Sequence, residues 1–137
     1  NRENIKYKEN QSTPQRTIFI VDDNYINLNL TEKILEKIGT YKIIKANNGV
    51  EAVELYKKEN PDLIFLDIQM PIMNGFEAFE EIKTLAKENN IAMPKVVALS
   101  AYAGDKDKEK CLEIGMDDFV SKPFKLNDIK HIIDSYL

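Results

Sequence analysis

Cysteine is almost absent from this chain. Cys111 is its single thiol, which excludes an internal disulfide and most cysteine-based metal sites. The plain reading of Cys111 is a small buried side chain on a helix. Long apolar runs are missing too: none reaches the length of a membrane span or a signal h-region. The residues read as soluble in themselves, with attachment to a membrane protein left open. There is no excess of positive charge. A formal net charge of -4 argues against nonspecific nucleic-acid binding, which needs a basic surface. No glycine-rich phosphate loop of the P-loop or dinucleotide type occurs. Histidine is reduced to His131, among solvated positions near the end of the last helical stretch, and the four methionines show no ligand spacing.

What is present is one domain's worth of chain. With 43% apolar and 31% charged residues, its 137 residues have the composition of an ordinary globular protein. A domain of this size buries roughly two thirds of its unfolded surface. Residues 1–16 (NRENIKYKENQSTPQR) are polar and aperiodic, and read as a linker or tail with too little apolar surface to offset ordering entropy. From Thr17 onward, short apolar runs alternate with amphipathic stretches, the signature of βαβ units. Strands are expected at about 17–22, 41–46, 62–67, 95–100 and 117–121. Helices are expected at about 25–38, 50–59, 75–88, 101–115 and 126–136. Asn24 suits an N-cap and Gly39 a helix stop. The core-facing stripes are Ile34, Leu35 and Ile38; Val50, Val53 and Tyr56; Phe76, Phe79 and Ile82; and Leu126, Ile129, Ile132, Ile133 and Tyr136. Lys106 to Lys110 reads as a solvated helix face.

Chemistry concentrates where apolar runs end in polar residues. Ile18 to Val21 runs into Asp22-Asp23, Leu63 to Leu66 into Asp67, Val96 to Leu99 into Ser100, and Phe119-Val120 through Ser121 into Lys122. Parallel neighbours would bring these ends to one sheet edge, where open α/β sheets place their sites. Clustered acids repel unless a cation neutralises them. Mg²⁺ fits, since it takes oxygen ligands and typically uses one or two carboxylates. Asp23 and Asp67 as direct ligands, with a carbonyl from the loop after Asp67, would serve. Capping of the first helix is an equally simple reading of Asp22-Asp23. Asp67 resists such a reading, because nothing in helix capping calls for an acid after four apolar residues of a central strand. A carboxylate there can act as a nucleophile towards phosphorus. Lys122 would neutralise the transferred phosphoryl group, and Ser100 would donate a hydrogen bond to it. Lys122-Pro123 admits a cis bond that turns the lysine inward. Gly75 suits either close packing at a helix start or a positive φ.

At Val21-Asp22-Asp23-Asn24, Asp67-Ile68-Gln69-Met70-Pro71 with Asn74-Gly75, Ala98-Leu99-Ser100-Ala101, and Asp118 to Phe124, the chain resembles the receiver domains of two-component response regulators. The likeness runs from about Thr17 to Leu137. It implies a doubly wound, flavodoxin-like (βα)5 sandwich with a five-stranded parallel sheet in order 2-1-3-4-5. It implies Asp67 as phosphoacceptor, and Asp22, Asp23, Asp67 and the Gln69 carbonyl as the site of Mg²⁺ or Mn²⁺. Lys122 takes the position of the family's lysine. Ser100 and Phe119 take the switch positions, although Phe119 is also simple core. Tyr102, two residues after Ser100, would shield the acyl phosphate from water. The motif details VDDN-x-x-N and DDFVSKPF look most like receivers of hybrid sensor histidine kinases.

That context implies exchange of phosphoryl groups with a histidine kinase or a histidine phosphotransfer domain. Docking would use Asn24, Ile26, Asn27, Leu28 and Leu30 of the first helix and the Pro123-Phe124 loop. No nucleic acid or direct membrane contact is implied, and there is room for a weak homodimer. The location would be cytoplasmic, with or without a tether to a membrane-bound kinase. A receiver is a phosphoacceptor that assists its own phosphorylation and dephosphorylation. The alternatives are a stand-alone regulator, an aspartate-nucleophile phosphohydrolase, and a flavodoxin-like cofactor binder. The hydrolase needs an acid two residues after the nucleophile, where this chain has Gln69.

Overall fold

A computed structural model describes residues 15–101, 105–122 and 124–137. The linker reading of residues 1–16 therefore falls almost wholly outside the described residues, as do Tyr102 and Pro123. Among the described residues the chain alternates strand and helix: β1 (Thr17–Val21), α1 (Tyr25–Ile38), β2 (Lys42–Ala46), α2 (Gly49–Lys58), β3 (Leu63–Asp67), α3 (Gly75–Glu88), β4 (Lys95–Ser100), α4 (Asp105–Glu113), β5 (Asp118–Ser121) and α5 (Leu126–Tyr136). The strands form one parallel sheet in the order β2-β1-β3-β4-β5, as the resemblance implies. The βαβ alternation read from the sequence holds among the described residues, with ends shifted by a residue or two except in the fourth helix, expected from about 101 and observed as Asp105–Glu113.

The central strands explain the layering. β3 is buried along its whole length, as its unbroken apolar run requires of a strand covered on both faces. One face packs Phe19, Val21, Ile64, Leu66, Val96 and Ala98 against α2, α3 and Cys111 of α4. The other packs Ile18, Ile20, Leu63, Phe65, Val97 and Leu99 against α1 and α5. Alternate residues of each strand thus serve opposite cores. Cys111 is fully buried, and it is the only buried residue among the described side chains of α4.

Helix entries show where periodicity alone misleads. Val50 is exposed, and the inward stripe of α2 is Gly49, Ala52, Val53 and Tyr56. Asn48 caps this helix through the Glu51 N–H, so the i, i+3, i+4, i+7 face starts at Gly49 rather than Val50. Leu126 is likewise exposed at the first position of α5, whose buried residues are Ile129, Ile132 and Ile133. No described helix is long and apolar enough to cross a membrane.

Candidate functional site

Register places the strand ends side by side. Val21 pairs with Leu66, so Asp22 continues β1 beside Asp67. Asp67 pairs with Leu99, one residue short of Ser100, and Ser100 pairs with Ser121, one residue short of Lys122. The chain crosses from β1 to β2 on one side and then returns past β1 to β3 on the other. This switch point is where an open α/β sheet leaves a crevice at its carboxyl edge.

Asp22, Asp23 and Asp67 converge there, each offering a carboxylate oxygen within 4.8 Å of the others. Asp22 and Asp67 are buried while Asp23 faces solvent. Lys122 bridges the buried pair, its Nζ lying 2.7 Å from Asp22 Oδ2 and 3.0 Å from Asp67 Oδ2. The Lys122 N–H donates to the Ser100 carbonyl at 2.7 Å, which fixes the lysine's approach from β5. The remaining oxygens take backbone donors: Asn24 N–H to Asp22 Oδ1 and Gln69 N–H to Asp67 Oδ1, both 2.9 Å. Asp22 Oδ2 is buried and, despite its ion pair with Lys122, accepts no directed hydrogen bond.

Capping does not account for the acids. α1 is capped by Asn24, whose Oδ1 accepts from the Ile26 and Asn27 N–H groups. The loop after Asp67 is closed tightly by Gly75: a Cβ there would lie 2.4 Å from the Asp67 carbonyl oxygen. Close packing is therefore the role of Gly75, and its φ is not positive. Asn74 and Glu77 form a reciprocal capping box that starts α3 directly behind the site.

Three carboxylates against one ammonium make the crevice formally anionic. Burial pushes the Asp67 carboxyl up from 3.8 to about 6; the Gln69 N–H opposes this, the Asp22 charge adds to it and Lys122 opposes it again. Burial disfavours the Lys122 charge as well, yet the close carboxylates of Asp22 and Asp67 outweigh it and hold the ammonium above its ordinary value. A hard divalent cation fits this donor set, because it would use the oxygens of the three acids and relieve their repulsion. Ser100 is fully buried. It lies on the sheet face of Val96 and Ala98, and Phe119, which pairs with Ala98, packs against the same core.

Two docking expectations need correction. Leu28 and Phe124 are only 1% and 5% exposed, so their side chains belong to the core beside α1 and α5 rather than to an exposed docking surface. Ile26 and Leu30 remain exposed. Sequence reading overlooked two exposed apolar residues at this edge, Tyr25 and Ile72. Tyr25 was legible as an apolar residue off the buried stripe of α1; nothing in the sequence marks Ile72.

The comparisons agree with this geometry. The family model described as "Response regulator receiver domain" matches residues 18–134. Hybrid signal transduction histidine kinase B of Dictyostelium discoideum is 48% identical over 120 residues, covering 82% of this chain and 6% of that protein. The chain thus spans a small part of the relatives it matches. A receiver domain of Saccharomyces cerevisiae Ssk1, solved with the histidine phosphotransfer protein Ypd1, has a TM-score of 0.83 and 33% identity, with 90% of this chain and 89% of that one covered. The receiver of a Pseudomonas aeruginosa sensor histidine kinase, solved with magnesium in its active-site cleft, has a TM-score of 0.77 and 29% identity, covering 90% and 98%. With five parallel strands in the receiver order and a family match across nearly all of them, this chain belongs to the response regulator receiver domains of two-component phosphorelay signalling.

Proposed function

We propose that Asp67 accepts a phosphoryl group from a phosphohistidine, in a Mg²⁺-dependent reaction, and that the chain is the receiver of a hybrid sensor histidine kinase. The observation that carries this is the bridge from Lys122 to two buried carboxylates at 2.7 and 3.0 Å, beside a third. Asp22, Asp23, Asp67 and the Gln69 carbonyl would hold the metal. Bound Mg²⁺ supplies the charge neutralisation that lets an anionic carboxylate meet an anionic phosphoryl group.

An Asp67 oxygen attacks phosphorus while the P–N bond breaks. The electron pair stays on the imidazole nitrogen, which is reprotonated, and Asp67 becomes an acyl phosphate. Lys122 leaves its contact with Asp67 Oδ2 for the transferred oxygens. The Ser100 hydroxyl donates to the phosphoryl group, and Phe119 turns inward as Ser100 engages. Asn24, Ile26, Asn27 and Leu30 form the docking side. The hybrid context rests on the similarity to Dictyostelium kinase B, and the phosphotransfer partner on the solved yeast complex.

The test is incubation with Mg²⁺ and acetyl phosphate, read by intact-mass spectrometry. One base-labile, acid-stable adduct is expected, and it should be absent from Asp67→Asn. An adduct that persists in that variant sinks the assignment, and repeated turnover of a phosphoester would favour the hydrolase.

A further inference from the structure

Away from the acidic crevice, one buried polar group among the described residues has no partner. Tyr56 is 5% exposed and belongs to the core that includes Val53, Phe79 and Ile82, yet its hydroxyl is buried and makes no hydrogen bond. Burial raises the phenol above its ordinary value, so the hydroxyl keeps its proton and is a donor at neutral pH. Buried polar groups are almost always paired, because an unpaired one gives up its hydration without return. Phenylalanine would fill the same place in the core without that cost.

Tyr56 also lines a cavity of about 450 Å³ between the C-terminal ends of α2 and α3. That size suits a small organic ligand. Both helices begin beside the loop after Asp67, at Gly49 and Gly75. Leu85 in the cavity wall comes ten residues after Gly75, a helical rise of about 15 Å towards the opposite edge of the sheet. The cavity is therefore separate from Asp67 and its neighbours.

Its chemistry is one-sided. Leu85 and Ile91 give it apolar walls. Among the described residues lining it, Lys57 and Lys58 are cationic and none is acidic. Lys57 pairs with Glu54 at 3.0 Å, whereas Lys58 makes no ion pair among the described residues. The last carbonyls of α3, which would otherwise favour a cation, are already taken. Leu85 accepts from Asn89, Ala86 from the Ile91 N–H and Lys87 from the Asn90 N–H. The complementary ligand is an anion with an apolar body, and its inner end offers an acceptor to Tyr56.

We propose that this cavity binds a small aromatic acid carrying a second oxygen. The ring lies against Leu85 and Ile91, the inner oxygen accepts from the Tyr56 hydroxyl, and the carboxylate meets Lys57 and Lys58. The hydroxyl is closed to solvent, so the ligand enters by displacing side chains of the rim. Asn60 and Ile91 are exposed there, and exposed side chains rotate rapidly.

The probe is 4-hydroxybenzoate, followed through the amide chemical shifts of the full chain, with benzoate as the analogue that lacks the inner oxygen. Shifts should centre on Tyr56, Leu85 and Ile91, with a Kd of about 1 mM for so small a ligand. Benzoate should bind the parent about tenfold more weakly. Tyr56→Phe should weaken 4-hydroxybenzoate by about the same factor and leave benzoate unchanged. Lys58→Gln, at an exposed position, should weaken both acids about threefold. Without ligand, Tyr56→Phe should melt at or above the parent's temperature, since it removes an unpaired polar group. Equal binding of the two acids by the parent overturns the proposal, as does an affinity for 4-hydroxybenzoate that Tyr56→Phe leaves intact. Melting of Tyr56→Phe below the parent also overturns it, because the hydroxyl would then have a structural partner. So does an absence of shifts at these residues at about ten times the expected Kd.

Discussion

Asp67→Asn should make the metal-free protein more stable, although it removes the proposed phosphoacceptor. Burial raises the Asp67 carboxyl from 3.8 to about 6 even with Lys122 beside it. A raised acid stabilises the fold only while protonated, so its contribution is complete below about pH 4 and is lost as pH rises through 6. At pH 8, ionisation of Asp67 costs the fold about 3 kcal/mol relative to the unfolded chain; at pH 4.5 the cost is about 1 kcal/mol. Asparagine keeps the shape without the charge, can still accept the Gln69 N–H, and leaves Lys122 its ion pair with Asp22 at 2.7 Å. Urea melts in EDTA should therefore show the variant ahead by up to about 3 kcal/mol at pH 8, or roughly 10 °C in Tm, with the gap closing towards pH 4.5. Added Mg²⁺ should stabilise the parent more than the variant and narrow the difference, because it binds the folded carboxylates. A variant less stable than the parent in EDTA at pH 8, or a gap unchanged at pH 4.5, would refute the reasoning.

Other perturbations test the surroundings of the site. Mg²⁺ affinity, followed by calorimetry, should weaken as pH falls below about 6, approaching tenfold per pH unit, because the Asp67 proton must leave before the metal binds. Gly75→Ala places a methyl group 2.4 Å from the Asp67 carbonyl oxygen, and should cost about 2–3 kcal/mol in denaturant melts while impairing acetyl phosphate labelling. Asn74→Ala removes the capping box at the start of α3 and should cost about 1 kcal/mol by the same melts, with Asp67 still labelled.

Particular residues show why some features are legible in sequence and others are not. Leu63 to Leu66 read as a central strand because a doubly covered strand leaves no place for polar residues, and β3 is buried throughout. Asp22, Asp23, Asp67 and Lys122 stood out because charge at the end of such a run must face a crevice, and the structure brings all four together. Leu28 and Phe124 looked like docking residues only because they flank the site in sequence; their neighbours in space, on α1 and α5, draw them into the core. Val50 was misread because a helix face is set by the first residue after the cap, and one residue turns the face by about 100°. The exposure of Ile72 follows from how Met70 and Met73 are seated on either side, a tertiary effect that propensity does not encode.

The burial of Cys111 has a further consequence. Cys111 is the only buried residue among the described side chains of α4, and the chain has no other thiol. Burial pushes the thiol up to about 11, so in the folded protein it is both sealed and protonated. Every alkylation event in this chain therefore carries one address, and its rate measures how often α4 lifts from the sheet. Without any engineered label, the protein keeps a chemical clock on α4.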